Sequence, residues 1–219
     1  MDIILDYEKL SMRADEVDVR KDNKEVREIA VALKNKIREN NITYLTAPQI
    51  GFNKRIFVIN FNGDLRTFVN PIISNVKGFE LSKETCESIP EKAFIRPRHN
   101  NITIMYQTPL GKIESRQIVG MAAKLFQHCV DHLDGLLLND IGLEIDADFE
   151  NASKEEQEEV IKMYLESLDI KQRDIDKEIS EDEELKKISD GIDFMTKVQK
   201  GEIQIERVPI QKQSEENKE

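Results

Sequence analysis

Only three histidines occur in these 219 residues, and two of them, His128 and His132, stand four positions apart in Gln127-His128-Cys129-Val130-Asp131-His132. On an α-helix, residues four apart share a face one turn above each other, so both imidazoles can address one point in space. The spacing therefore asks for a helix here, docked on an element that brings further ligands to the same point. A helix is predicted from Met121 through His132, stopping before Gly135, a residue suited to the left-handed position just past a helix end. Asp131 and Asp134 are nearby carboxylates able to orient a ligand imidazole through its far nitrogen, and Gln127 can hold a water or a carbonyl.

Upstream, Val26, Ile29, Ala30, Leu33 and Ile37 fall at helical spacing within Glu25 to Asn40. Short β-like runs follow at Arg55 to Phe61, Phe68 to Ile73, Ile102 to Gln107 and Ile113 to Val119. The last two flank Thr108-Pro109-Leu110-Gly111-Lys112, with Pro and Gly where a turn wants them. Helix, antiparallel strands, then helix is the order of an α+β fold, with the sheet built around the histidine-bearing helix.

Charge divides the chain. Residues 1 to 150 hold 20 basic against 23 acidic side chains, whereas residues 151 to 219 hold 12 against 20, so the last third carries −8 of a net −11. The division predicts a domain over residues 1 to 150 and an acidic helical C-terminal extension over 151 to 219. Ser153-Lys154-Glu155-Glu156 opens the extension as a capping box, followed by Val160, Ile161, Tyr164, Leu165 and Leu168 on one face. Leu185, Ile188, Ile192, Met195 and Val198 continue at helical steps, and Gln211 to Glu219 is polar enough to fray. The extension reads as a helical cover for the domain, or as a contact surface for an unknown protein partner. The acidic balance repels a phosphate backbone and excludes DNA as a partner. The longest apolar runs, such as Ile56 to Ile59, fall far short of the roughly 18 residues a membrane span needs. The acidic start, Met1-Asp2-Ile3-Ile4-Leu5-Asp6, lacks the basic and apolar regions of a signal peptide, so the expected location is the cytoplasm.

Two cysteines are too few for a disulfide framework. Cys86 lies in Glu84-Thr85-Cys86-Glu87-Ser88-Ile89-Pro90, an acidic, turn-like stretch that suits a functional thiolate better than a packed structural thiol. Acidic neighbours alone would raise its pKa, and a bound cation removes that difficulty. One thiolate with two imidazoles makes a three-ligand site with an open position, the arrangement of catalytic metals.

Three motifs in order resemble those of the peptide deformylase family. Leu45-Thr46-Ala47-Pro48-Gln49-Ile50-Gly51 is similar to its G-x-G-L-A-A-P-Q-x-G, Glu84-Thr85-Cys86-Glu87-Ser88 to its E-G-C-L-S, and Gln127 to His132 to its Q-H-E-x-D-H. Lys54 to Ile59, Asn70-Pro71, the arginine of Arg96-Pro97-Arg98, and Asp131 to Gly135 extend the likeness, which covers roughly residues 1 to 145. The resemblance implies a metal-dependent hydrolase that removes the formyl group from the N-terminal formyl-methionine of nascent proteins. By position, Cys86, His128 and His132 are then the ligands of one divalent ion. Iron is implied first, with zinc, nickel or cobalt suited to the same donors. Gln49 and the backbone N–H of Glu87 become the oxyanion donors.

The chain departs from the family where the chemistry is most demanding. Cys129 stands in place of the Glu that carries the proton, which implies impaired or absent turnover, since positioned proton transfer is worth typically a hundred- to ten-thousandfold. Cys129 can be read as a fourth ligand, as a disulfide partner of Cys86, as a small buried filler or as a residual nucleophile. Tyr44 replaces the second Gly of the first motif, and Thr85 and Glu87 replace the Gly and Leu around Cys86. Glu87 is the one substitute carboxylate the motifs place near the metal, although strand alternation turns it away from the face Cys86 uses. His99, in Arg98-His99-Asn100, is expected to be exposed in a polar turn.

Overall fold

The computed structural model describes residues 3–181, with side chains to residue 168. A short helix α1 (Tyr7–Leu10) precedes α2 (Asn23–Asn40). Next come β1 (Tyr44–Thr46), a 3-10 turn at Pro48–Ile50, β2 (Ile56–Phe61), β3 (Asp64–Cys86), β4 (Ile89–Gln107) and β5 (Ile113–Val119). Helix α3 (Met121–Leu133) and the short α4 (Leu138–Ile141) lead to β6 (Leu143–Glu144), α5 (Ala147–Asn151) and α6 (Lys154–Glu181). The strands form one antiparallel sheet in the order β1-β2-β3-β4-β5, with β6 on β4. This is an α+β fold, as expected.

Strand β2 explains why the sheet has helices on two faces. Its run Ile56-Phe57-Val58-Ile59 is fully buried, which requires cover on both sides. Ile56 and Val58 join Val26, Ile29, Leu33 and Ile37 of α2 in one cluster. Phe57 and Ile59 join Ala123, Phe126, Cys129 and Leu133 of α3 in another. Each large aliphatic or aromatic side chain so buried contributes about 1.5–3 kcal/mol.

The expected strands Phe68 to Ile73 and Ile102 to Gln107 are the apolar ends of the much longer β3 and β4. Register shifts between Val69 and Ile72 and between Ser74 and Lys77 accommodate Asn70 and Asn75, which take left-handed φ values of 47° and 48°. Beyond them a long ribbon runs to the turn at Glu87-Ser88, so Cys86 ends a strand rather than sitting in a loop. His99 is half-buried within β4, opposite Phe79, not in the polar turn expected of it.

The capping box at Ser153 is present: its N–H donates to Glu156 Oε2 at 2.8 Å, and Glu156 N–H donates back to its Oγ at 3.3 Å. A compact unit runs from Met1 to Ile161, and Lys162 opens a second. The segment from Leu185 to Val198 and the polar end Gln211 to Glu219 lie outside the described residues. No described helix is long and apolar enough to cross a membrane.

Candidate metal centre

Helix α3 presents His128 and His132 toward the end of β3, where Cys86 stands. The ligand atoms of these three residues lie within 4.8 Å of one another, all in buried side chains. Cys86 Sγ is 3.1 Å from His132 Nε2. Contrary to its acidic sequence neighbourhood, the thiol packs beside Phe94, Leu138 and Ile89, while Glu87 faces solvent.

The carboxylate that orients one of these imidazoles is Glu84, not Asp131 or Asp134. Glu84 Oε2 lies 3.0 Å from His128 Nδ1, and an ionised carboxylate has no proton to give, so Nδ1–H donates and Nε2 faces the site. Burial alone would raise the Glu84 pKa, yet two N–H donors of Arg98 and the His128 ring hold it down to about 2. Burial works against a charge on His128 too, but Cys86 and Glu84 raise its pKa to about 9. His132, pressed by burial and by the charges of His128 and Arg98, is held well below the usual histidine range.

Asp131 acts one step further out, taking Arg98 and Arg96 as partners. Asp134 pairs with Arg55 at 2.6 Å. Gln127 is not free for a water or substrate: its amide oxygen accepts from His99 N–H at 3.0 Å, and its Nε2 donates to the carbonyls of His99 and Ala123. These bonds bolt α3 to β4.

Gln49, on the 3-10 turn, does reach the site. Its Oε1 accepts from the backbone N–H and hydroxyl of Thr46, both at 3.0 Å. That aims Nε2 at Ser88 Oγ, 3.1 Å away, and at Cys86 Sγ, 3.8 Å away.

Cys129 is fully buried in the apolar cluster with Phe57 and Phe126 and is not among the three residues that could hold an ion. Both cysteines are free, so the disulfide reading fails. Burial, reinforced by the nearby Cys86, pushes the Cys129 thiol well above its ordinary range.

Tyr44 reaches across from β1. Its Oη lies 3.0 Å from both the Thr85 carbonyl and His128 Nε2, and its ring meets the His128 ring edge-on with centroids 4.9 Å apart. The phenol's only proton goes to the carbonyl, which can only accept, leaving the Nε2 contact to be made by the phenol oxygen.

A thiol and two imidazoles, one imidazole braced by a buried carboxylate, fit a divalent cation. When bound, such an ion supplies Lewis-acid polarisation of a carbonyl or of water. Fold and site together define an α+β domain with a Cys/His/His cluster that can hold a metal.

Comparison with known proteins places that domain. The polypeptide deformylase family model matches residues 1–143. A peptide deformylase of Dictyoglomus thermophilum is 32% identical over 126 residues, 58% of this chain and 82% of that protein. The crystal structure of peptide deformylase from Thermotoga maritima superposes with a TM-score of 0.60 at 27% identity, covering 64% of this chain and 95% of that one. A peptide deformylase from Synechococcus elongatus in complex with actinonin gives 0.59 at 26% identity, over 64% and 78% of the two chains. The chain belongs to the polypeptide deformylase family.

Proposed function

We propose that this protein is a metal-holding member of the family in which turnover of formyl-methionyl peptides is reduced at least about a hundredfold, the lower end of what a positioned proton carrier supplies. Cys86, His128 and His132 hold one divalent ion. Fe2+ leads by family likeness, and Zn2+, Ni2+ or Co2+ suit the same donors. Gln49 Nε2 and the backbone N–H of Glu87 are the donors for a developing oxyanion, and Gln49 must release Ser88 to serve.

The observation that carries this reading is that, among the described residues, no carboxylate of the site is free to move a proton. Glu84 is tied to Arg98 and His128, Asp131 to Arg98 and Arg96, and Glu87 faces solvent. At the position after the first ligand histidine stands the Cys129 thiol, neutral and packed among aromatic rings. The N-terminal peptide of a nascent protein is the ligand class this reading assigns. The acidic residues beyond 151 add a separate contact for a protein partner, and the cytoplasm is the compartment that fits both.

The test is turnover of a formyl-Met peptide by the full-length protein loaded anaerobically with iron or nickel. Wild type is expected to show none above the free ion. Cys129→Glu, made in a Tyr44→Gly background that clears the phenol from His128, is expected to exceed Tyr44→Gly alone by at least about a hundredfold. Wild-type turnover within about a hundredfold of a peptide deformylase loaded alike would contradict the proposal and indicate a working hydrolase with another proton carrier.

A further inference from the structure

We propose that Tyr44 is an internal fourth ligand, closing the coordination position that a three-ligand hydrolase site leaves open. The proposal rests on the metal-site reading above and goes beyond it, because no sequence motif assigns Tyr44 a role there.

Two observations meet at its phenol oxygen. His128 Nδ1 is committed to Glu84, so Nε2 is the nitrogen a cation would use, and Tyr44 Oη lies 3.0 Å from that atom. Adjacent ligand atoms around an ion with bonds of about 2.0–2.3 Å sit roughly 3.3–3.6 Å apart. The Oη to Nε2 separation is a few tenths of an ångström shorter, and so is the 3.1 Å between Cys86 Sγ and His132 Nε2. Both contacts would open by a similar small amount around one ion.

The second observation is the anchoring of the phenol. Tyr44 is held by β1, whose pairing with β2 places it opposite Ile59. Its oxygen also meets the carbonyl of Thr85, in the irregular step of β3 just before Cys86. The side chain therefore spans from β1 to the residue beside Cys86.

Burial and the neighbouring Cys86 hold the Tyr44 phenol well above its ordinary range, so it stays protonated unless an ion displaces the proton. On coordination the ion would replace the protons on Tyr44 Oη, His128 Nε2 and Cys86 Sγ: the O–H, N–H and S–H bonds break as bonds to the ion form, and the protons leave to solvent.

Cobalt(II) is the probe, added to full-length wild type and to Tyr44→Phe, which keeps the ring against His128. In wild type, ion uptake is expected to produce the ultraviolet difference spectrum of tyrosine ionisation, and added azide is expected to leave the visible cobalt bands unchanged. In Tyr44→Phe the ultraviolet signature disappears, azide shifts the bands, and cobalt affinity by chelator competition falls at least about tenfold. Cobalt uptake by wild type without tyrosine ionisation, with azide shifting the bands as readily as in Tyr44→Phe, would overturn Tyr44 as a ligand and leave the three-ligand metal reading standing. Failure of wild type to take up cobalt at all would remove both.

Discussion

The carboxylate of Glu84 accepts from two N–H groups of Arg98 and one of His128, in a site where both partners are buried. Because its folded pKa is depressed from 4.5 to about 2, its contribution to stability is complete above pH about 4.5 and is lost as pH falls toward 2. Acid unfolding followed by circular dichroism should show that loss across this window in the wild type. Glu84→Gln removes one partner of a buried guanidinium and is expected to cost about 3–5 kcal/mol in denaturant unfolding. A loss below about 1 kcal/mol would mean that Asp131 alone satisfies Arg98. The sequence held a partial signal for this residue: Glu84 stands two positions before Cys86, the spacing of strand residues that share a face, although the ladder is irregular between them. Arg98 could not be matched to them from sequence, because the pairing depends on the register of a ribbon whose length the pattern hides.

At the scale of elements, the amphipathic helices were the most legible parts, since α2 and α3 each bury a stripe at helical spacing. The outer halves of β3 and β4 were not. Their residues are mostly polar and exposed or part-buried, with charges on both faces, so no alternating pattern marks them as strand. The end of α3 shows how tightly the histidine helix is seated. Gly135 follows it at φ 75°, and a Cβ there would come within 2.4 Å of the Ser11 carbonyl oxygen. Gly135→Ala therefore meets both a disfavoured backbone conformation and a main-chain clash. It is expected to lower stability by at least about 1–2 kcal/mol, measured by denaturant midpoint. An unchanged midpoint would show that the segment after α3 is free to shift.

For the molecule as a whole, every residue of the candidate site lies within the compact unit that ends at Ile161. The family match also ends before that point, at residue 143. A protein ending at Ile161 should thus keep cobalt affinity within about threefold of the full chain; a larger loss would tie the acidic extension to the metal site. Its charge marked the extension in the sequence, but charge carries no information about what a surface touches. The most direct test of the account is cobalt stoichiometry together with the thiolate-to-cobalt charge-transfer band, measured in wild type, Cys86→Ser and Cys129→Ser. The account predicts one ion per chain, with the band present in wild type and Cys129→Ser and absent in Cys86→Ser. A band that survives Cys86→Ser, or that is lost in Cys129→Ser, would contradict it.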